Sequence, residues 1–392
     1  MYVKKIVGKL HLVLGFASGL IVLFLSITGC MLAFQKEIEL ITAPYQFVEP
    51  QSKPVLPPAQ LGKIALKSLP DKKLHSVIYL DDRHSAQVTF FSAEPAHYYI
   101  VYINPYSGSV LKVKNMEKDF FRIIIMGHYY LWLPPQIGQP IVASATLMFL
   151  IMLITGIILW WPKNKAARKQ RFTIKWTAKW RRVNYDMHNV PGFYITFIAI
   201  FIAITGLVMG FQWFANSIYW ASSGGKTMLP YSDPLSVKTV NAVNINEPAI
   251  NKIWRTVSAE NPTTELIEIH FPESDSSSII SVTNSDASTL WKSDYRYFDQ
   301  YTLKEKEVNH LYGRFETASV ADKLMRMNYD VHIGAIIGLP GKILVFCASL
   351  VCGSLPITGF YIWLGRRKKK KSKAAEGIRL LRMRKLSYLA KQ

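Results

Sequence analysis

The chain has 392 residues, half of them hydrophobic, and a mean hydropathy of +0.13, which argues against an ordinary soluble domain. Its net charge of +21 is confined to three stretches: three lysines in residues 1–11, nine Lys/Arg and no acid in 163–182, and twelve Lys/Arg with one Glu in 366–392. Each stretch abuts an apolar run and the rest of the chain is close to neutral, so the charge does not describe a nucleic-acid surface. Lys/Arg excess beside membrane spans marks the cytoplasmic side and predicts that both termini lie there. The run Arg366–Lys371 is then placed to meet anionic lipid headgroups. Cys30, Cys347 and Cys352 all sit inside apolar runs and offer no disulfide framework and no CxxC or CxxCH motif. They read as small buried hydrophobes.

Four runs, 11–34, 140–161, 192–214 and 341–364, are long enough to cross a bilayer, which takes about 20 residues. The first follows Lys4, Lys5 and Lys9 like a signal peptide, but it is too long and lacks a small-residue cleavage site, so it reads as an uncleaved anchor. The segment that follows has proline punctuation at Pro54–Pro58, a helical stretch at 59–68, and alternating runs His75–Leu80, Gln87–Phe91, Tyr98–Ile103 and Val110–Val113. A small α+β domain fits. Phe120–Leu133 is apolar yet carries Arg122 and His128; Pro134-Pro135 and Gly138 then break it before the second span, with Pro140 as a first-turn proline. That span ends in the interfacial pair Trp160-Trp161. After the basic loop, the third helix runs from His188 and Pro191. The second outer segment repeats the first, with a helix at 248–258 and strands Leu266–Phe271, Ser278–Val282, Tyr295–Tyr301 and Leu303–Val308. The fourth span is broken at Leu339-Pro340-Gly341 and ends at Trp363.

The predicted division is therefore helix 1 at 1–35, an outer domain at 36–118, a His-bearing segment and helix 2 at 119–162, and a basic inner loop at 163–182. Helix 3 at 183–214, a second outer domain at 215–325, a His-bearing segment and helix 4 at 326–365, and a basic tail at 366–392 complete it. One string occurs twice: residues 182–188 read Arg-Val-Asn-Tyr-Asp-Met-His and residues 326–332 read Arg-Met-Asn-Tyr-Asp-Val-His. Every span is paired with one histidine, namely His11, His128, His188 and His332. From histidine to the threonine of a Thr-Gly pair is 17 residues in helices 1 and 3 (Thr28-Gly29, Thr205-Gly206), and 27 and 26 in the broken pair (Thr155-Gly156, Thr358-Gly359). The expectation is a two-fold internal repeat, parallel in the membrane, around an all-α core of four helices.

Symmetry then gives two histidine pairs, one near each membrane face, and 17 residues at about 1.5 Å per residue span most of a bilayer. Ionisable residues in spans usually mark function. Paired imidazoles on facing helices suit bis-histidine haem, and the lack of CxxCH implies the non-covalent b type. Zinc would need three or four clustered ligands, and the spans carry no carboxylate chain for a proton relay. A basic residue precedes each histidine by six positions: Lys5, Arg122, Arg182 and Arg326. These suit haem propionates, with snorkelling to headgroups as the plain alternative. Asp186 and Asp330 are candidates for orienting a ligand histidine, or for capping a helix start. Met187 reads as packing rather than as a ligand. Gly29, Gly156, Gly206 and Gly359 allow a porphyrin or a neighbouring helix to approach, the helix being favoured. Tyr129, Tyr130 and Trp132 beside His128 read as interfacial anchors or as a lining for an approach to it.

Leu10-His11-Leu12 with Ser26-Ile27-Thr28-Gly29, and Tyr185-Asp186-Met187-His188-Asn189 with Gly192, resemble the PepSY-associated transmembrane family. The outer string Tyr102-Ile103-Asn104-Pro105-Tyr106-Ser107-Gly108-Ser109-Val110-Leu111 resembles the end of a PepSY domain. The second outer segment departs from it, since Asp299-Gln300-Tyr301-Thr302-Leu303 lacks the turn glycine. The resemblance implies two periplasmic PepSY-like domains on a bacterial inner-membrane protein with two haem b groups, one held by His11 and His188 and the other by His128 and His332. It also implies a siderophore ferric reductase.

The expected activity is a transmembrane reductase passing electrons from the cytoplasmic side to a periplasmic ferric-siderophore and releasing Fe(II). No GxGxxG follows a strand and the inner segments are too short for a flavin or nicotinamide domain, so the donor is separate, a quinol or a flavoprotein. The alternative is a non-catalytic membrane protein whose PepSY-like domains bind peptide, inhibit a protease or sense a ligand. It leaves the histidine pairs without a purpose. Whether His128 and His332 lie on continuous helices or on short segments before the breaks is open at this point.

Overall fold

The computed structural model describes residues 2–162, 168, 171–238 and 247–389. Of the basic inner loop, 163–167 and 169–170 lie outside the described residues, as do 390–392 of the tail and the side chains of 368–375 and 377–389. Among the described residues four stretches are helical, long and apolar enough to cross a membrane: Tyr2–Ala33, Pro135–Trp160, Trp180–Gly210 and Ala335–Arg367. They belong to helices α1 (Tyr2–Ala33), α5 (Pro135–Trp160), α6 (Trp180–Gly210) and α10 (Gly338–Leu389). Helix α1 packs against α5 and α10, and α6 packs against the same two, so the four close into a ring.

Two expectations shift. The third helix starts at Trp180, twelve residues before its apolar run, because an apolar scan sees only the part that needs lipid. Pro191 lies inside that helix without ending it. In α5 it is Pro135 that occupies the first turn, where its missing N–H costs nothing, while Pro140 is interior. The breaks lie at 131–134 and 333–337; the second comes earlier than expected, because Leu339, Pro340 and Gly341 form the first turn of α10, where the missing N–H of a proline costs nothing. The breaks separate two short helices, α4 (Phe120–Tyr130) and α9 (Val320–His332), from the spans that follow. Leu131 and Trp132, both at positive φ, end α4, and Asp119 caps its start by accepting from the Arg122 amide. Helix α9 opens with a reciprocal capping box between Ser319 and Asp322, worth about 1 kcal/mol.

The outer segments do not build separate sheets. Strands β1 (Leu74–Tyr79), β2 (Ala86–Ala93), β3 (Ala96–Ile103) and β4 (Val110–Asn115) come from the first, and β5 (Leu266–His270), β6 (Ile279–Asn284), β7 (Asp294–Phe298) and β8 (Glu305–Lys306) from the second. All eight form one sheet, ordered β4-β3-β2-β1-β5-β6-β7-β8, with antiparallel pairing throughout. The seam is β1 on β5, from Ser76 opposite His270 to Tyr79 opposite Ile267. Period-2 alternation puts Val77, Val88, Phe90, Val101 and Ile103 on one face against Leu61 and Ala65 of helix α3 (Pro58–Ser68). Ile269, Ile279 and Phe298 meet Ile250, Ile253 and Val257 of helix α8 (Ala249–Glu260) in the same way. Each large side chain so buried contributes about 1.5–3 kcal/mol. The two clusters are joined across the seam by Tyr79 stacked on Trp254 at 5.2 Å and by the Ala59 amide donating to Asn251 Oδ1 at 2.9 Å.

The departure of the second turn from the family string is a change of residue and not of geometry. Asn104 accepts from the amides of Tyr106 and Ser107, and Asp299 accepts from those of Tyr301 and Thr302. Gly108 stands at φ 77°, and Leu303, four residues after Asp299, takes the left-handed conformation at φ 59° without being a glycine. Because Leu303 turns the chain, the final strand is shorter than the expected Leu303–Val308.

Candidate functional site: two histidine pairs

The four histidines meet in two pairs. His11 of α1 and His188 of α6 have ring centroids 6.5 Å apart with an interplanar angle of 88°. His128 of α4 and His332 of α9 are 6.3 Å apart at 69°. The second pair lies on the side of the bundle from which the sheet chains leave, and is called the sheet-side pair. The first lies at the end carrying the basic segments. His128 and His332 are on the short helices, which settles the point left open. Among the described residues no group of three or more His, Cys, Asp or Glu is placed to hold a metal ion, so each site is a pair.

Each ring is held by the threonine of a Thr-Gly pair on a neighbouring span. His11 Nδ1 is 2.8 Å from Thr155 Oγ1 and His128 Nδ1 is 2.8 Å from Thr28 Oγ1. His188 Nδ1 is 2.9 Å from Thr358 Oγ1, and His332 Nδ1 is 2.9 Å from Thr205 Oγ1. The glycine after each threonine gives the ring its room. A methyl group added at Gly156, Gly29, Gly206 or Gly359 would stand 3.7, 3.6, 3.4 or 3.2 Å from the Cε1 of the ring that docks there. In the shared string Arg-x-Asn-Tyr-Asp-x-His, the asparagine lies one helical turn before the histidine and reaches the same threonine. Asn184 donates to the Thr358 carbonyl at 3.0 Å, and Asn328 to that of Thr205 at 3.1 Å.

A cavity surrounds each pair. At the basic end it measures about 810 Å³, with Lys4, Tyr185, Asn189 and Arg366 among its polar lining and Trp160, Phe193 and Trp363 among its aromatic walls. The sheet-side cavity measures about 430 Å³ and has no charged side chain among the described residues; besides the two histidines, its polar groups are those of Tyr129, Tyr130, Tyr329, Gln35 and Gln139 and the hydroxyls of Ser26, Thr146 and Ser349. Both are within the size range of pockets that hold a small molecule or cofactor. Val22 and Phe149 line both cavities and so form the wall between them.

The basic residues six positions before each histidine do not line the cavities. Arg182 pairs with Asp186 at 2.9 Å, and Arg326 is buried, donating to the carbonyls of Leu311, Ser293 and Gly313. Arg122 lies over the Tyr98 ring at 5.4 Å, and Lys5 is exposed. The aspartates orient loops instead of ring nitrogens. Asp330 accepts from the amides of Leu290 and Trp291, and Asp186 from that of Lys175. Burial raises the Asp330 carboxyl above its ordinary range, against the two amides that lower it. Met187 lines neither cavity. Trp132 turns back over Gly127 and donates to the Ile123 carbonyl at 2.8 Å. The three cysteines are free, and Cys352 lines the sheet-side cavity.

Comparison with known families decides the lineage: the model described as the PepSY-associated TM region matches residues 9–366. The chain belongs to the PepSY-associated TM family. It is a multi-pass membrane protein with an α-helical core and an antiparallel β domain. A search of the curated proteins finds no match. In this member of the PepSY-associated TM family, the matched region holds all four histidines and all four threonines. The threonines are the site residues that sequence reasoning left without a role. The signal was present, since a 17-residue step from His11 to Thr28 carries the threonine to the level of the opposite pair.

Proposed function

We propose that the protein is a two-haem membrane reductase of the bacterial inner membrane, with His11 and His188 ligating one haem b and His128 and His332 the other. The observation that carries this reading is the ring spacing. Metal–imidazole bonds run to about 2.0–2.1 Å, and two of them in line put the ring centroids about 6.4 Å apart. Centroid separations of 6.5 and 6.3 Å fit that sum at both ends of the bundle. The donor set is neutral nitrogen, the cavities are apolar, and glycines lie against the rings. All of these suit a flat macrocycle. Bound haem supplies one-electron Fe(III)/Fe(II) chemistry.

The chain's own contribution is holding: two imidazoles would hold each iron, and threonine hydroxyls orient the rings. Lys4 and Arg366 are the cations lining the basic-end cavity, and they replace Lys5 and Arg182 as partners for carboxylates there. The charge pattern supports cytoplasmic termini and a periplasmic sheet. Matched histidine–threonine docking and the sheet order, which reads the same from either edge by strand position, support a two-fold internal repeat. The reaction proposed is one-electron reduction of a periplasmic ferric-siderophore, with weakly chelated Fe(II) released and electrons supplied by a separate quinol or flavoprotein. A purely peptide-binding or sensing role has nothing to do with two imidazole pairs at this spacing. The test is a visible spectrum and haem count of the detergent-purified protein made under haem-replete conditions. Two low-spin b haems per chain, reoxidised by a ferric-siderophore, are expected; absence of haem would sink the reading.

A further inference from the structure

We infer that Thr28, Thr155, Thr205 and Thr358 are positioning residues that lock the tautomer of the four histidines, leaving every Nε2 as a lone-pair donor before any metal arrives. The inference deepens the two-haem reading and rests on it only for the identity of the metal.

The argument is a count of hydrogens. A threonine hydroxyl has one hydrogen and two lone pairs. At Thr28 that hydrogen is directed back along its own helix to the carbonyls of Phe24 and Leu25, at 3.0 and 3.1 Å. Thr205 donates to Phe201 and Ile202 at 2.7 and 3.0 Å, Thr358 to Ser354 and Leu355 at 2.9 and 3.1 Å, and Thr155 to Met152 at 3.1 Å. With its hydrogen so placed, each hydroxyl meets the imidazole with a lone pair, and Nδ1 must carry the hydrogen.

The opposite tautomer fails by the same count. It would put the hydrogen on Nε2, and among the described residues no protein group accepts from the Nε2 of any of the four rings. A buried donor left unpaired is unfavourable. Asn184 and Asn328 add to the fixture by gripping the carbonyl of the same threonine, so the hydroxyl and backbone of Thr358 and Thr205 are both held.

The experiment is ring-nitrogen NMR of full-length protein carrying isotopically labelled histidine, made under haem depletion, for the wild type, Thr358→Val and Thr358→Ser. The wild type is expected to show His188 with hydrogen on Nδ1. Valine keeps the shape without the hydroxyl and is expected to give mixed tautomers at that ring alone, while serine restores the wild-type signal. In protein loaded with haem, valine should weaken retention at the basic-end site by about 10–100-fold and serine should not. Hydrogen on Nε2 in the wild type, or an unchanged His188 signal in the valine variant, would overturn the inference. Failure of the protein to take up haem at all would instead remove the functional reading, with the tautomer result still standing.

Discussion

The two histidine pairs are built to one plan and set in different surroundings. Ring separation, threonine docking and flanking glycine are the same at both, yet the basic-end cavity is nearly twice the volume of the other, about 810 against 430 Å³. It is lined by two cations, where the sheet-side cavity has phenols, amides and aliphatic hydroxyls and, among the described residues, no charged side chain. The scaffolds differ too. His11 and His188 ride on unbroken spans, whereas His128 and His332 end short helices that are fastened by close backbone contacts. A methyl group on Gly138 would fall 2.0 Å from the Tyr130 carbonyl, and one on Gly341 2.0 Å from that of Gly334. The two sites thus repeat one small histidine–threonine–glycine unit and differ in its lining and mounting.

Removing a ligand should have the largest effect and tests the pairing itself. His11→Ala and His188→Ala are each expected to abolish the same haem, and His128→Ala and His332→Ala the other, so a pyridine haemochrome count falls from two per chain to about one. If His11→Ala and His128→Ala remove the same spectral component, the pairs are wrong. Next comes the mounting. Gly138→Ala forces a methyl group into a carbonyl, an overpacking that costs about 1–3 kcal/mol, and should release the sheet-side haem on heating well before the other. Simultaneous loss of both bands would show that the two sites share one stability.

The matched arginines offer a smaller contrast. Arg326→Leu strands three buried carbonyls and should lower thermal stability by about 3 kcal/mol, whereas Arg122→Leu gives up a cation–π contact and should cost less than about 1 kcal/mol. Equal melting shifts would contradict the separate roles assigned to them. The smallest effect is electrostatic. Lys4→Gln or Arg366→Gln removes a positive charge from the basic-end cavity and should lower only that centre's reduction potential, by no more than about 60 mV, one decade in equilibrium. A potentiometric titration in which the sheet-side wave moves instead would reverse the assignment of the cations.

Much of this was legible in the sequence because it rests on short-range rules. Apolar length gave the spans, alternation gave the strands expected between His75 and Val113, and the Pro134-Pro135 break placed His128 apart from the span that follows. Leu339-Pro340-Gly341, by contrast, falls inside α10, and the break after His332 lies at 333–337. Contacts between distant segments were not legible. The β1–β5 seam joins strands nearly two hundred residues apart, and alternation says which face is buried without naming the neighbour. The roles of Arg182, Arg326, Asp186 and Asp330 also escaped. Apart from the Arg182–Asp186 ion pair, their partners are backbone groups of loops, which carry no side-chain signature. Leu303 shows the opposite limit: a turn can keep its geometry where its usual glycine is replaced.

Neither half of the chain owns a site. His11 and His128 come from the first half, His188 and His332 from the second, and each pair takes one from each. The seam divides the sheet in the same manner, four strands to a side. A half-length chain would therefore carry two unpaired imidazoles and a bare edge strand, and would complete both only by meeting a second copy of itself.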